Sequence, residues 1–543
     1  MSSFTRRAAL AGGTALVSTA ALAACGNGED ADTSEAIASP DGNVITDTSD
    51  PKIVKEKTTV TFMSRRPPTT AKDWDEVGCF KIAEKTTNLS VDFGLVPDES
   101  VGEKVNLALA SGEYPEAFYR TNIEAGDIAK YAGQGTFIAL DELIDTYMPN
   151  LKKLLDGDDS LRAGITMPDG HIYSMPQVYD KNSVGLLNDF SLWVRKDWAD
   201  RLGMDIPTTL DEYEAYLDEC VHGDPRGDGK KGIVGASGPG IWALKNPLAG
   251  TFGIYNHGVD AGPYDEDPDN PGKVRLWGIS DDFREMLTYF NRLYTNGLIQ
   301  QDIFSTDAQK SEALASEGVV ASSWNISPDA NFGDQGSAYE PLLPLKKDAG
   351  SDAATWNPVH PPMMGIGQFI LTDKCTHPVE IARWADFWYG EEGAKAFFMG
   401  VEGESYKKKG DGYELLDTVT KSDKSFDEAM SPYAMYLGGG YPAWATDDWF
   451  KGVETSERSL AAAEQIAEYD VEDVWAPFTF TTEESDILTS TGQDIAKAMD
   501  EAEAAFITGK RKLTEWDDYV DQVKSMGLDE YTKCYQSALD RRQ

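Results

Sequence analysis

Between residues 58 and 121 the chain alternates strand, helix, strand, helix, strand, and this order restricts its fold more than any other feature. Residues 58–64 alternate polar and apolar side chains with the period of two that marks a strand. Residues 73–87 are helix-like, and residues 89–95 form a second strand. Val101, Val105, Ala108 and Leu109 share one helical face. Gly112 and Pro115 end that helix, and residues 116–121 supply a third strand. Strands linked through helices pair in parallel with both sheet faces covered, so the class is α/β. Ligands of such sheets gather at the carboxyl ends of the strands. Those ends carry Arg65 and Arg66 after the first strand and Tyr119, Arg120 and Thr121 at the third. Arg65, Tyr119 and Arg120 are therefore candidate solute-binding residues.

A second region repeats the pattern. A helix carrying Trp198 and Leu202, then a helix over 209–220, lead to a short strand at Ile233 and Val234. A long helix spans 281–296, with Phe283, Leu287, Phe290 and Leu293 on one face. The apolar run 318–324 is opened by Gly318 and contains Val319 and Val320, which favours a buried strand. The last third is mostly helical and ends in helices over 514–540. Trp384 and Trp388, four residues apart on one helix, read as core, and Trp193 and Trp198 are read as core as well.

Composition removes several functions. Against 49 basic side chains stand 92 acidic ones, a net charge of -43. Such a chain repels phosphate backbones, so nucleic acid is not expected as a partner. HExxH, GxxxxGK[ST] and a strand-following GxGxxG are all missing, and Gly235-Ala236-Ser237-Gly238-Pro239 fails GxSxG at its last position. No enzyme activity and no cofactor are expected, although 92 acids leave a glycosidase pair open. None of the five histidines stands at zinc-ligand spacing from another. The cysteines Cys79, Cys220, Cys375 and Cys534 form no CxxC pair and leave two disulfides or none.

The N-terminus reads as an address. Arg6-Arg7, an apolar stretch and small residues up to Ala24 make a signal peptide over 1–24. Leu22-Ala23-Ala24-Cys25 resembles the lipobox of bacterial lipoproteins, which implies lipidation of Cys25 as the first mature residue. Removal of the two arginines takes the charge from -43 to -45. The twin arginines suit Tat export, and Sec remains open beside it. Residues 25–54 are polar and read as a flexible tether. The folded body, 55–543, is expected at the extracellular face of the membrane, held by lipid alone.

Several segments together resemble bacterial extracellular solute-binding lipoproteins of ABC importers, family 1 type. Within these they resemble the large subgroup of alginate- and fructooligosaccharide-binding proteins. Leu192-Trp193-Val194-Arg195-Lys196-Asp197-Trp198, continuing through Leu202-Gly203 to Pro207-Thr208-Thr209-Leu210-Asp211-Glu212, carries the first resemblance. Leu293-Tyr294-Thr295-Asn296-Gly297-Leu298-Ile299 and Gly400-Val401-Glu402-Gly403-Glu404-Ser405-Tyr406 carry two more. Trp516-Asp517-Asp518-Tyr519 onward looks like the C-terminal helix pair. The resemblance implies a two-lobed periplasmic-binding-protein-like fold, each lobe a sheet flanked by helices, joined by a hinge. Lobe 1 is expected over roughly 55–176 with part of 355–445. Lobe 2 is expected over 177–354 with the C-terminal helices. An ABC importer permease is the implied partner, and a monomer is expected.

Asp224-Pro225-Arg226-Gly227-Asp228-Gly229-Lys230 resembles that subgroup's calcium loop, but Arg226 stands where the third position needs an oxygen. No metal is therefore expected. Arg226 is expected instead to bridge Asp224 and Asp228 with its guanidinium. For the solute, a neutral oligosaccharide fits best, because sugar CH faces stack on aromatic rings while hydroxyls need polar partners. Gly240-Ile241-Trp242, Ser323-Trp324-Asn325 and Gly438 through Trp444 combine both in expected loops. Trp242, Trp324, Asn325, Tyr441 and Trp444 complete the candidate set. A peptide receptor of the same architecture and a glycoside-active enzyme are the alternatives.

Overall fold

The computed structural model describes residues 42–542, apart from residues 190, 352–354, 411 and 453. The signal peptide and Cys25 lie outside the described residues, as does the tether up to residue 41. Residues 42–54 correct the tether reading. Val44 bridges Val54 in antiparallel fashion, Ile45 N–H donates to the Ile53 carbonyl, and Val44, Ile53 and Val54 are buried in a core. Polar composition concealed two short apolar pairs, Val44-Ile45 and Ile53-Val54, on either side of a turn. Arg383 fastens this hairpin by donating to the carbonyls of Ile45 and Asp50.

The α/β class and the two lobes hold. One sheet runs in the order Trp444–Ala445, Met175–Tyr179, Met363–Leu371, Ala117–Tyr119, Thr58–Arg66, Leu89–Asp92, with Leu95–Pro97 also on Thr58–Arg66. The other runs Tyr339–Pro341, Leu192–Arg195, Val320–Trp324, Val234–Ser237. The helix expected over 73–87 begins later, at Gly78–Thr87. The strand expected over 89–95 splits at Phe93-Gly94, because Gly94 adopts φ +50° with its Cα against the Phe62 carbonyl. Helices Gly78–Thr87 and Pro378–Tyr389 cover the first sheet, and Trp384 and Trp388 are buried there. Leu210–His222, Asp281–Thr295 and Gln493–Ile507 pack a second core around Trp198.

Strand direction fixes how the sheets relate. Thr58–Arg66 and Ala117–Tyr119 are parallel, and Met363–Leu371 is antiparallel to both Ala117–Tyr119 and Met175–Tyr179. The carboxyl ends of Thr58–Arg66, Ala117–Tyr119, Met175–Tyr179 and Trp444–Ala445 thus share one edge. In the second sheet, Val320–Trp324 ends where Leu192–Arg195 begins, and Trp324 faces Leu192. Residues 180–191 join these two edges. Residues 342–362 return from Pro341 to Met363, and the chain leaves Ala445 for a third passage that reaches the C-terminal helices.

The three passages are hydrogen-bonded to one another. His360 N–H donates to the Leu187 carbonyl at 3.0 Å, Trp356 N–H to the Tyr469 carbonyl at 2.6 Å, and Val471 N–H to the Trp356 carbonyl at 3.1 Å. Asn188 Nδ2 donates to Asp470 Oδ2 at 3.0 Å, while Asp470 Oδ1 is buried without a hydrogen-bond partner among the described residues. Burial pushes the Asp470 carboxyl up to about 6, against the pull of the Asn188 bond. A raised carboxyl stabilises the fold fully below its unfolded pKa, and that contribution is lost as pH rises through the folded one. Asp470→Asn should therefore match wild type near pH 4 and exceed it by about 1–2 kcal/mol at pH 7.5, in urea unfolding at both values. A variant less stable at pH 7.5 would count against this account of the hinge.

Candidate functional site

Each expected residue can be placed against the two sheet edges that the three passages link. Trp324 ends its strand half-buried, and Trp242, 39 % exposed, opens the short helix Trp242–Lys245. Their rings meet edge to face, 5.1 Å apart at 67°. The turn Gly238-Pro239-Gly240 allows this, since a Cβ at Gly240 (φ +105°) would come within 3.0 Å of the Trp242 ring. Trp444 is half-buried at the opposite edge, paired in register with Val178.

Five candidates are spent elsewhere. Tyr119 is wholly buried, its ring among Phe62, Phe369 and Trp384, because strand alternation turns it under the helices. Tyr441 is buried against Phe397 and Phe398. Asn325, only 2 % exposed, accepts from Ser327 N–H at 2.8 Å and Asn331 Nδ2 at 3.0 Å, so it closes its own turn.

Arg65 and Arg120 reach the sheet edge but are claimed by a loop. Arg120 donates to the carbonyls of Met435, Leu437, Gly439 and Gly440 at 2.7 to 3.0 Å. Arg65 donates to those of Arg120, Gly438 and Gly439 and pairs with Asp98 at 2.8 Å. Gly438, Gly439 and Gly440 all take positive φ, so the loop turns its carbonyls inward onto the two guanidiniums. A peptide carbonyl buried away from water needs a donor, and here the arginines supply it.

Other residues near these edges were missed. Gln177 accepts from the N–H groups of Gly440 and Tyr441, at 3.2 and 3.4 Å, and donates to the Tyr179 hydroxyl at 3.2 Å. Burial pushes up the Tyr179 phenol, with the charges of Asp189 and Glu454 adding to it. Burial likewise raises the Glu454 carboxyl and lifts Asp447 to about 6. His360 stands between Asp260, 2.6 Å from Nδ1, and Asp189, 3.1 Å from Nε2. Burial alone would lower this imidazole, but the two carboxylates lift it to about 10, so it is cationic at neutral pH. Applying the strand-end rule to Met175–Tyr179 would have found Gln177 and Tyr179. A separate cavity of about 300 Å³ is lined by Asn122–Ala125, Gly164, Ile366 and Pro477–Thr479.

This geometry, two sheets linked by three hydrogen-bonded passages, is matched by comparison with known proteins. Residues 68–395 fit the family described as bacterial extracellular solute-binding protein. The chain belongs to that family. The fructooligosaccharide ABC transporter substrate-binding protein FusA of Streptococcus pneumoniae serotype 4 is 28% identical over 515 residues, 90% of this chain and 91% of FusA. The structure of an EF-hand mutant of FusA with fructo-nystose superimposes with a TM-score of 0.68 at 25% identity, over 89% of this chain and 99% of that one. An HMO-binding, ABC-transporter-associated solute-binding protein of Bifidobacterium longum infantis reaches 0.75 at 22% identity, over 89% and 99%. Alginate-binding AlgQ2, solved without calcium ion, reaches 0.67 at 20%, over 90% and 99%. The last two show the fold alone. The family expectation is thus met, and these relatives are binding proteins. Among the described residues of this solute-binding protein, no helix is long and apolar enough to cross a membrane.

Proposed function

We propose that this solute-binding protein captures a neutral oligosaccharide in a cleft between the lobes and delivers it to the permease of an ABC importer, tethered outside the cell through lipid on Cys25. The Trp242–Trp324 pair at the carboxyl edge of the second sheet carries the reading. Two rings at right angles offer one face and one edge to the CH surface of a pyranose or furanose. Trp444 serves as a third platform from the other lobe, and Tyr179 and Glu454 supply hydroxyl partners. Neutrality is favoured because Arg65 and Arg120 are committed to carbonyls, leaving neither for a sugar carboxylate. Desolvated acids at the same edge would repel one.

Calorimetry of the full chain with fructooligosaccharides, other neutral oligosaccharides, oligouronates and mixed peptides tests this. Saturable heat with a neutral oligosaccharide, and an unchanged chromatogram of that sugar afterwards, is the expected result. Preference for oligouronates would remove neutrality, preference for peptides the sugar, and new products the receptor role.

A further inference from the structure

The loop after helix Leu210–His222 departs from the calcium loop that its sequence resembles. Calcium takes 6 to 8 oxygens, with the last two from a carboxylate at the twelfth loop position. Counted from Asp224, that position is Gly235, inside the strand Val234–Ser237. A Cβ there would lie 2.1 Å from the Leu298 carbonyl oxygen, so the backbone leaves no room for any side chain. The third position is Arg226 and the ninth is Gly232. The donor set of a calcium site does not fit.

The two carboxylates are occupied from within the chain. Asp224 accepts from the N–H groups of Asp228 at 3.2 Å and Gly229 at 3.1 Å. Asp228 accepts from Lys230 N–H at 2.9 Å. It also faces Arg226 Nε at 3.6 Å and Lys230 Nζ at 3.5 Å. Arg226 thus meets Asp228 alone rather than bridging both acids, because backbone amides already hold Asp224. Its Nη2 donates onward to the Lys231 carbonyl at 3.3 Å, and Arg201 donates to the Pro225 carbonyl. Gly227, Gly229 and Gly232 take the positive φ values that the tight path requires.

We infer that residues 224–232 form a loop that folds without calcium, with Arg226 beside Lys230 as built-in cations that balance Asp228. The loop joins a core helix to Val234–Ser237, the strand paired in parallel with Val320–Trp324.

The experiment uses the full chain, with calcium chloride or EDTA as the probe. In wild type, calorimetry should show no saturable calcium heat, and melting should move by less than about 1 °C between the two. In Arg226→Gln, peptide amides over 224–230 should exchange on the order of tenfold faster, and calcium should not restore them. Micromolar calcium binding by wild type would overturn the inference, and so would calcium rescue of the variant. Unchanged exchange in Arg226→Gln would equally overturn the role given to its guanidinium.

Discussion

Arg120→Met should lower folding stability by about 3–5 kcal/mol, the range for removing one partner of a buried polar constellation. The guanidinium is wholly buried and satisfies four carbonyls from a loop 315 to 320 residues further along the chain. Methionine fills the stem's volume but donates nothing, so those carbonyls lose their donor away from water. Lysine would recover only part of the loss, because a single ammonium does not match the spread of a planar fork. Chemical denaturation of the three proteins measures it. A loss below about 1 kcal/mol for Arg120→Met would mean that water or backbone replaces the guanidinium, and the loop would not depend on it.

Trp324→Ala should act on binding instead. The indole touches Trp242 and only partly packs on the second core. Its removal should weaken oligosaccharide affinity by about 2 kcal/mol or more, roughly thirtyfold, as for an aromatic anchor. Melting should fall less, because the ring is partly exposed before ligand arrives. Titration beside melting curves separates the two effects. Affinity retained with a collapsed melting temperature would place Trp324 in the core and move the site elsewhere.

These two residues also mark where sequence reading succeeds and where it stops. Trp324 was legible, because a short valine-rich run opened by glycine announces a strand, and the strand end follows. The opening strand–helix alternation was legible for the same local reason, to within a few residues at each boundary. Arg120 was placed at the right edge but given the wrong partner. Nothing within a few residues of it reveals that Gly438–Gly440 folds over it, since that contact is made only when Met363–Leu371 and Trp444–Ala445 join the same sheet. Tyr119 and Tyr441 failed because a strand end or loop with an aromatic looks alike whether the ring points inward or outward. Asn325 was avoidable: an Asn side chain readily accepts from the backbone N–H two residues on, which closes an Asx turn. The hairpin at 43–54 was missed because averaged polarity hides two apolar dipeptides.

The three passages between the sheets have a mechanical corollary. A single connecting segment would let two bodies swivel, tilt and slide, whereas three roughly side-by-side connections, bonded to each other, resist torsion and leave bending as the soft mode. A donor and an acceptor dye fixed on opposite rims would then vary along one coordinate as solute arrives. The fold is, in that respect, already laid out as a ratiometric sensor, with the choice of sugar set by the cleft and the signal by the hinge.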